Sequence, residues 1–346
     1  MKPEPTPRLS VLMPARNAGR FLDEAIESIL TQTERDLELV VVNDGSTDDT
    51  GERLQGWAGR DRRCRVFQAA GLGPAGALNV ALAEARGALL ARMDADDISL
   101  PRRLERQRAL FERQDRLVVA GTWARTFGDA GAHTWRHPTE DGGLRARLVF
   151  DSPLVHPTVM MRRSAINGLG TVYRPEFGRA EDYDLWERLQ HVGAMANLPE
   201  VHLRYRTHAA QVTVTSRSDS VAGAAQVRKR LLATWWPECT EADHRWHHAF
   251  SAELVPPTAA TLDQAEAWLG RLDAHHRHRP LAPAGAWRQV VASKWWEICR
   301  HCRGLGPPAF WRFLRSPLGG WTAVPPRRVL RLAVESLRPG REEARR

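Results

Sequence analysis

Short apolar runs alternate with helical patterns along the first third of the chain. The apolar runs are rich in aliphatic residues and stop at turn or polar residues, which predicts buried strands; they cover residues 9–13, 37–42, 65–68, 88–93 and 117–121. Between them, apolar residues recur at a spacing near 3.6, which predicts helices; these lie around residues 21–30, 54–57, 75–85 and 100–111. Strands that alternate with helices indicate an α/β fold, with a mostly parallel sheet and helices on both faces.

Polar residues follow three of these strands. Ligands of parallel sheets bind at the carboxyl ends of the strands, where this chain has Pro14-Ala15-Arg16-Asn17, Asn43-Asp44-Gly45-Ser46 and Asp94-Ala95-Asp96-Asp97. Asp94 and Asp96 are two residues apart, so both side chains point to one side of an extended chain. Two carboxylates at such an edge suit a hard divalent cation that also binds phosphate oxygens. The alternatives are that Asp96 or Asp97 caps the next helix, or that the acids lie in a solvated loop.

Two further motifs lie later in the chain. The sequence A-E-D-Y-D-L-W at 180–186 opens a predicted helix with an apolar face of Leu185, Trp186 and Leu189. Acids in a first turn also complement the helix dipole and cap free N–H groups, so a capping role for Glu181 and Asp182 stays open. The strand-like run L-R-Y-R-T-H ends at His208, which is either structural or a ligand.

The order of these motifs resembles that of the family 2 glycosyltransferases. The matching sequences are P-A-R-N, V-V-V-N-D-G-S-T-D-D-T, G-A-L-N-V-A-L-A-E-A-R-G, M-D-A-D-D, A-E-D-Y-D-L-W and L-R-Y-R-T-H, within about residues 8–215. The resemblance implies the GT-A fold, with a nucleotide-binding half at 8–121 and an acceptor-binding half at 122–215. The chain departs from one common form of the first motif, because Arg16 stands where an aromatic residue often precedes the asparagine. No Q-x-x-R-W follows the E-D motif, so the chain resembles the non-processive members of the family.

The resemblance implies a nucleotide site at the first strand ends. Asp44 would accept a hydrogen bond from a uracil ring, and Pro14, Ala15 and Asn17 would line the same base pocket. Asp94 would contact the ribose or another part of the nucleotide.

The resemblance also implies a metal ion and a catalytic base. Asp96 would be the principal ligand of Mn²⁺ or Mg²⁺, His208 would help to hold the metal or a closing loop, and Asp182 would be the base. Transfer of a sugar with inversion is an in-line displacement, which needs a base for the acceptor hydroxyl and charge stabilisation on the leaving diphosphate. The expected function is metal-dependent, inverting transfer from a nucleotide-sugar donor, a UDP-sugar, to a hydroxyl of a glycan or lipid-linked acceptor. Envelope or exopolysaccharide synthesis is the expected setting.

Two other enzyme classes match single motifs. Residues 71–76 have the dinucleotide-binding pattern Gly71-x-Gly73-x-x-Gly76, and Asp94 ends the next strand, as in an NAD(P)-dependent oxidoreductase. That interpretation leaves the N-D-G-S and E-D motifs without roles. The D-x-D sequence also matches aspartyl phosphatases, but their chemistry needs a downstream lysine, and none occurs between Pro3 and Arg228.

Composition restricts the class of protein. With 346 residues, 42% hydrophobic and 26% charged, the chain is typical of a globular protein with two domains, or one domain and an extension. No apolar stretch is long enough for a transmembrane helix, and residues 1–7 lack the apolar core of a signal peptide. Four scattered cysteines do not form a disulfide framework. We therefore expect a cytoplasmic protein.

The net charge of +9 lies in one part of the chain. Residues 1–215 are neutral overall, whereas residues 216–346 carry the whole charge and nine of the 13 tryptophans. The chain therefore divides into a catalytic domain at 1–215 and a basic, mainly helical region at 216–346.

The basic region has tryptophans interleaved with arginines, namely Trp295, Trp296, Trp311 and Trp321. Such a region can be a helical bundle packed on the catalytic domain, can bind nucleic acid by stacking and phosphate contacts, or can lie on an anionic membrane. If it binds anything beyond the catalytic domain, we expect residues 271–346, with a net charge of +11, to contact the inner face of the cell membrane and not nucleic acid. Cys299 and Cys302 have C-x-x-C spacing, but no second pair completes a zinc site.

Overall fold

The computed structural model describes residues 6–129, 131–208, 217–319 and 324–337. The chain forms two compact units. The first contains Met1–Leu144 and Ser152–Val227, and the second contains Arg145–Asp151 and Arg228–Arg346. The boundary predicted between residues 215 and 216 lies outside the described residues and stays a prediction.

Within the described residues, the first unit contains nine strands and the helices between them. The strands are β1 (Leu9–Ala15), β2 (Leu37–Asp44), β3 (Cys64–Ala69), β4 (Leu89–Arg92), β5 (Ile98–Ser99), β6 (Leu117–Gly128), β7 (Thr134–Trp135), β8 (Met160–Arg162) and β9 (Ala194–Thr207). The helices are α1 (Gly19–Leu30), α2 (Thr50–Arg60), α3 (Gly73–Glu84), α4 (Arg103–Arg113), α5 (Asp141–Leu148), α6 (Arg163–Ile166) and α7 (Glu181–Leu189). Two 3₁₀ helices cover His156–Thr158 and Pro175–Ala180.

The strands form one sheet in the order β3-β2-β1-β4-β8-β6-β9-β5, with β7 paired to β6. The first four strands are parallel neighbours, with Leu9 paired to both Leu37 and Leu89. Helices α1, α2 and α3 connect them, as the alternation of strands and helices predicts. The carboxyl ends of β1, β2 and β4 therefore lie side by side.

The other part of the sheet is mixed, whereas the sequence pattern predicted a mostly parallel arrangement. β8 is antiparallel to both β4 and β6, and β5 is antiparallel to β9. β8 has three residues and β5 has two, which is too short for a recognisable alternation of apolar and polar positions. β6, predicted at 117–121, continues to Gly128 because it pairs with β9 along its length.

Helix α1 shows how the pattern produces the core of this unit. Its buried residues repeat at helical spacing and face the sheet; they are Gly19, Leu22, Ala25, Ile26, Ile29 and Leu30. They pack with alternate residues of β1, Leu9, Val11 and Met13, which are fully buried. Burial of a whole aliphatic side chain stabilises a fold by about 1.5–3 kcal/mol. This packing fixes the start of α1 beside the end of β1.

The second unit is helical, which confirms the prediction for the C-terminal region. Helix α8 (Arg217–Trp235) leads into it, followed by α9 (Glu241–Ser251), α10 (Ala259–His278), α11 (Ala284–His301), α12 (Pro307–Arg315) and α13 (Pro326–Leu337). Thr240 and Asp243 form a capping box at the start of α9. Among the described residues, no helix is both long and apolar enough to span a bilayer.

Four tryptophans of the second unit are buried in its core, namely Trp268, Trp287, Trp295 and Trp296. Trp295 is 0% exposed and Trp296 is 6% exposed, and His276 stacks on the buried Trp287 with ring centroids 4.4 Å apart. The expectation that Trp295 and Trp296 are available at a membrane surface is therefore wrong. Trp311 is exposed, and Trp321 lies outside the described residues.

Cys299 and Cys302 are free thiols buried in the same unit. Burial raises the pKa of both, that of Cys302 to about 11. Thiolates bind metals and exchange disulfides, whereas these groups stay protonated at neutral pH. The two cysteines are thus buried packing residues at the C-terminal end of α11.

Candidate active site

A cavity of about 750 Å³ lies in the first unit where β1, β2 and β4 end. Every residue for which the sequence predicted a role in binding or catalysis lines it; these are Pro14, Ala15, Asn17, Asp44, Asp94, Asp96, Asp182 and His208. Those at the ends of β1, β2 and β4 meet because neighbouring parallel strands end at one edge of the sheet. Asp182 and His208 reach the same cavity from the start of α7 and the end of β9. Other charged residues also line the cavity, namely Arg16, Arg20, Arg92, Arg179 and Glu181.

Asp44, at the end of β2, holds the glycine loop that precedes α3. Its Oδ1 accepts a hydrogen bond from the N–H of Leu72 at 2.7 Å, and its Oδ2 accepts one from Gly73 at 2.8 Å. Gly71 and Gly73 have φ of 75° and 73°, in the left-handed region that favours glycine. Each carboxylate oxygen keeps a further lone pair that can accept a hydrogen bond from a ligand.

The loop after β1 and the loop after β2 hold each other in place. Asn17 has a φ of 51°, its N–H donates to Ser46 Oγ at 3.0 Å, and its Oδ1 accepts from the N–H of Thr47 at 2.8 Å. The N–H of Gly19 donates to Asp48 Oδ2 at 3.1 Å, which satisfies a free amide at the start of α1. The P-A-R-N and N-D-G-S motifs therefore form one wall of the cavity.

Three acids follow β4 as a cluster. One oxygen from each of Asp94, Asp96 and Asp97 lies within 4.8 Å of the other two. Burial and the negative charge of Asp94 raise the pKa of Asp96 and, more strongly, that of Asp97. Asp97 Oδ1 accepts from the N–H of Arg206 at 2.8 Å, and no side chain caps α4, whose N-cap residue is Arg102. The helix-capping alternative for these acids is therefore wrong.

Two buried arginines lie behind the acids. Arg92, 6% exposed, donates to Asp94 Oδ2 at 2.5 Å. Arg103 of α4 is fully buried and donates to the backbone carbonyl of Arg92 at 2.6 Å, and burial lowers its pKa to about 9. Burial, together with the charge of Arg92, also holds the pKa of His156 well below its usual range. The positive charge of Arg92 partly offsets the mutual repulsion of the acids.

The end of β9 closes over the acid cluster. His208 Nε2 lies 3.1 Å from Asp96 Oδ2, and the imidazole ring lies 4.9 Å from that of Phe21. Arg206 donates from Nε to the carbonyl of Asp96 at 2.7 Å, and its guanidinium lies over Phe21 and Phe127. The structure thus places His208 beside the D-x-D acids, 112 positions away in sequence from Asp96.

Glu181 and Asp182 begin α7 at the cavity wall. Asp182 Oδ2 accepts from Ser152 Oγ at 3.2 Å, and its Oδ1 accepts from the N–H of Tyr183 at 2.7 Å. Glu181 is 6% exposed, and burial with the nearby charge of Asp182 raises its pKa to about 7. Asp184 points elsewhere and forms buried ion pairs with Arg174 and Arg188. No side chain caps α7, whose N-cap residue is Ala180, although Asp182 does accept from one first-turn N–H. Its position on the cavity leaves a chemical role open.

The raised pKa of Glu181 predicts a pH-dependent stability change for Glu181→Gln. The pKa of Glu181 in the folded protein is above its unfolded value of 4.5. The free energy of unfolding of the wild type therefore falls as the pH rises from about 4.5 to 7, and it stays at the lower value above pH 7. Gln stays neutral, so the variant should be more stable at pH 8 by as much as about 3 kcal/mol. Denaturant unfolding at pH 5 and pH 8 measures the difference, with the exposed Glu176→Gln as control. An equal difference at both pH values would contradict the assignment.

Comparison with known proteins identifies the family. Residues 10–170 match the model of glycosyl transferase family 2. An uncharacterized glycosyltransferase of Haemophilus influenzae is 30% identical over 240 residues, which cover 66% of this chain and 74% of the relative. The chain belongs to glycosyltransferase family 2. The O-antigen biosynthesis glycosyltransferase WbnJ of Escherichia coli is 31% identical over 208 residues, 58% of this chain and 80% of that protein.

A solved structure confirms the fold of this glycosyltransferase. TarS residues 1–349 from S. aureus match with a TM-score of 0.56 and 17% identity, over 95% of this chain and 89% of that one. The same fragment has also been solved with UDP and with UDP-GlcNAc. The predicted GT-A fold and its helical C-terminal extension are confirmed.

Family membership decides against the oxidoreductase alternative for residues 71–76. In a dinucleotide fold, the backbone of that loop approaches a pyrophosphate. In this glycosyltransferase the amides of Leu72 and Gly73 bind Asp44 instead. The left-handed backbone conformations of Gly71 and Gly73 allow this hydrogen bonding to Asp44.

Some residues around the site were not predicted from sequence. Arg92 and Arg103 were not assigned roles, and Ser152, which donates to Asp182, was not singled out. A usable signal existed for Arg92, because a charged residue within an otherwise apolar strand needs a partner. Arg103 and Ser152 had none, since their partners lie in other elements.

Proposed function

We propose that this family 2 glycosyltransferase transfers a sugar, with inversion, from a UDP-sugar to a hydroxyl acceptor. The observation that carries the proposal is one cavity lined by the predicted base pocket, the three-acid cluster and the E-D pair. A proposed base pocket and a proposed cation site, with a further carboxylate on the same cavity, match the needs of a nucleotide-diphosphate donor and an acceptor. The crystal complexes of TarS with UDP and UDP-GlcNAc support this class of donor by similarity of fold.

For the donor, we propose roles for the residues at the strand ends. Asp44, held by the amides of Leu72 and Gly73, would accept a hydrogen bond from the uracil ring. Pro14, Ala15 and Asn17 would line the base pocket; Asp94 would contact the nucleotide. The mutual hydrogen bonds of the two loops would keep this pocket formed before the donor binds, which lowers the cost of ordering it.

The acid cluster fits a hard divalent cation, Mg²⁺ or Mn²⁺. Asp94, Asp96 and Asp97 offer clustered carboxylate oxygens, the donor type that such ions prefer. Asp97 Oδ2 is buried and receives no hydrogen bond from the described residues, as expected for an oxygen that faces a cation. Asp96 would be the principal ligand, with His208 beside it. When bound, the ion would stabilise the charge that develops on the leaving diphosphate.

Asp182 is the proposed catalytic base. Ser152 and the N–H of Tyr183 orient its carboxylate at the wall of the cavity. Asp182 is also more exposed than the buried Glu181, so an entering acceptor can reach it. The proton would pass from the acceptor hydroxyl to Asp182 as that oxygen attacks the anomeric carbon.

We propose a glycan or lipid-linked acceptor and a cytoplasmic reaction, without a role for nucleic acid. WbnJ, an O-antigen biosynthesis glycosyltransferase, is similar over most of its own length. Envelope or exopolysaccharide synthesis is the setting that this relative supports.

Thermal unfolding in the presence of nucleotides tests the donor. A ligand at 100 times its Kd stabilises the folded state by about 2.7 kcal/mol, so UDP with Mn²⁺ should raise the Tm by several degrees. Asp44→Ala should lose the shift, and the control Asp115→Ala, on an exposed loop, should keep it. Incubation with a panel of UDP-sugars then identifies the sugar by metal-dependent release of UDP. A shift with NAD and none with UDP would overturn the proposal.

A further inference from the structure

Helix α13 leaves an apolar face open to solvent. Leu330, Val334 and Leu337 are 66%, 45% and 68% exposed. Their spacing, i, i+4 and i+7, places them on one side of the helix. Leu332 and Ser336 on the other side are fully buried, so the helix packs on its own unit through the opposite face. We call Leu330, Val334 and Leu337 the apolar strip.

Arginines flank the apolar strip. Arg327 and Arg331 are exposed. Arg327 lies three residues before Leu330, and Arg331 lies three residues before Val334, so both arginines are beside the strip on the helix surface. From Arg303 to the end of α13 the sequence has six arginines and a single acidic residue, Glu335. Glu335 is paired with Arg300 and Arg331. The surface around the strip is therefore both apolar and positively charged.

We propose that α13 lies on an anionic lipid surface, with the apolar strip in the boundary between headgroups and acyl chains. Arg327 and Arg331 would contact lipid phosphates. A helix with an exposed apolar face and basic residues beside it has the composition of interfacial helices. The arginines attract the protein to anionic lipid electrostatically. Burial of the apolar strip adds a hydrophobic binding free energy that salt does not screen.

Two observations favour lipid over a protein as the occupant of this face. A stable protein interface uses about 20–30 residues on each side, whereas the strip has three. The six arginines between Arg303 and the end of α13, with a single acid among them, complement an anionic lipid surface. The proposal depends on neither the donor nor the metal proposed above.

Co-sedimentation with vesicles tests the proposal on the full chain. The vesicles contain phosphatidylcholine with or without phosphatidylglycerol. The wild type should sediment with anionic vesicles at low salt and much less with neutral ones. L330S/V334S/L337S should lower the partition coefficient more than about tenfold, and R327Q/R331Q should lower it about 25-fold at low salt, or fivefold per arginine.

Matched variants keep the result interpretable. L254S removes an exposed leucine elsewhere in the second unit, and R277Q/R279Q removes two exposed arginines of another segment. Both should sediment as the wild type does. Circular dichroism and Tm check that all variants fold, as expected for exposed positions.

Three results would overturn the proposal. One is wild-type protein that stays in the supernatant with anionic vesicles at low salt. Another is equal loss of binding in R327Q/R331Q and in its control R277Q/R279Q, which would indicate general charge attraction, or equal loss in the strip variant and in L254S. A third is self-association by analytical ultracentrifugation that the strip variant abolishes, with no vesicle binding, since the occupant would then be a second copy of the chain.

Discussion

Replacement of Asp182 by Asn should lower turnover by about 10²–10⁴-fold and leave UDP binding nearly unchanged. Asn keeps the size of the side chain and can still accept from Ser152, but it cannot take the acceptor proton. Because the proposed role of Asp182 is to take the acceptor proton and not to contact the nucleotide, UDP binding should depend little on its charge. Initial rates of sugar transfer with a hydroxyl acceptor, and the UDP-dependent shift in Tm, measure the two effects separately.

Two variants control this result. Glu176→Gln changes an exposed acid just before α7 and should leave turnover unchanged. Glu181→Gln changes the neighbouring carboxyl, whose pKa of about 7 would also suit a general base. If Glu181→Gln lowers turnover far more than Asp182→Asn does, the base is Glu181.

Replacement of Asp96 by Asn should reduce transfer by about 10²–10⁴-fold, as should excess chelator on the wild type. The side chain is the proposed principal ligand of the cation, and the loss corresponds to the several kcal/mol that an ion contributes to the developing charge on the diphosphate. Full activity in excess chelator would contradict the metal assignment.

The same variant should not damage the fold. Burial and the negative charge of Asp94 raise the pKa of Asp96. Without metal, Asp96→Asn should therefore have an unchanged or higher Tm. Mn²⁺ should raise the Tm of the wild type and of Asp115→Asn, and should have no effect on Asp96→Asn. A large fall in the Tm of metal-free Asp96→Asn would mean that this carboxylate is a structural group.

The apolar strip of α13 and the arginines that flank it were only partly predictable from the sequence. The distribution of charge and tryptophan along the chain predicted a basic region that contacts a membrane, with tryptophans as its apolar contacts. Whether Trp295 or Leu330 is exposed depends on how α11 and α13 pack, since both residues are apolar and both follow a helical spacing. The sequence therefore predicted which region of the chain is basic, whereas helix packing decided which of its apolar residues are exposed.

The sequence by itself determined most of the strands and helices up to residue 121 and the edge of the sheet that holds the site. Apolar runs, helical spacing and turn residues are local signals, and the carboxyl ends of parallel neighbours meet wherever they occur. This is why Asp44 and Asp96 could be predicted to share a site before their distances were known, whereas Asp182 was added to that site only by the resemblance to family 2 glycosyltransferases. Their individual roles stay predictions.

Only the tertiary structure decided which side chains meet around that edge. The contact of Asp97 with Arg206 joins residues 109 positions apart, and Arg103 reaches the carbonyl of Arg92 from a different element. The antiparallel insertion of β8 between β4 and β6 is likewise a long-range pairing of three residues. Such contacts leave no periodic signal in the sequence, because each depends on the packing of distant segments and not on the residues next to it.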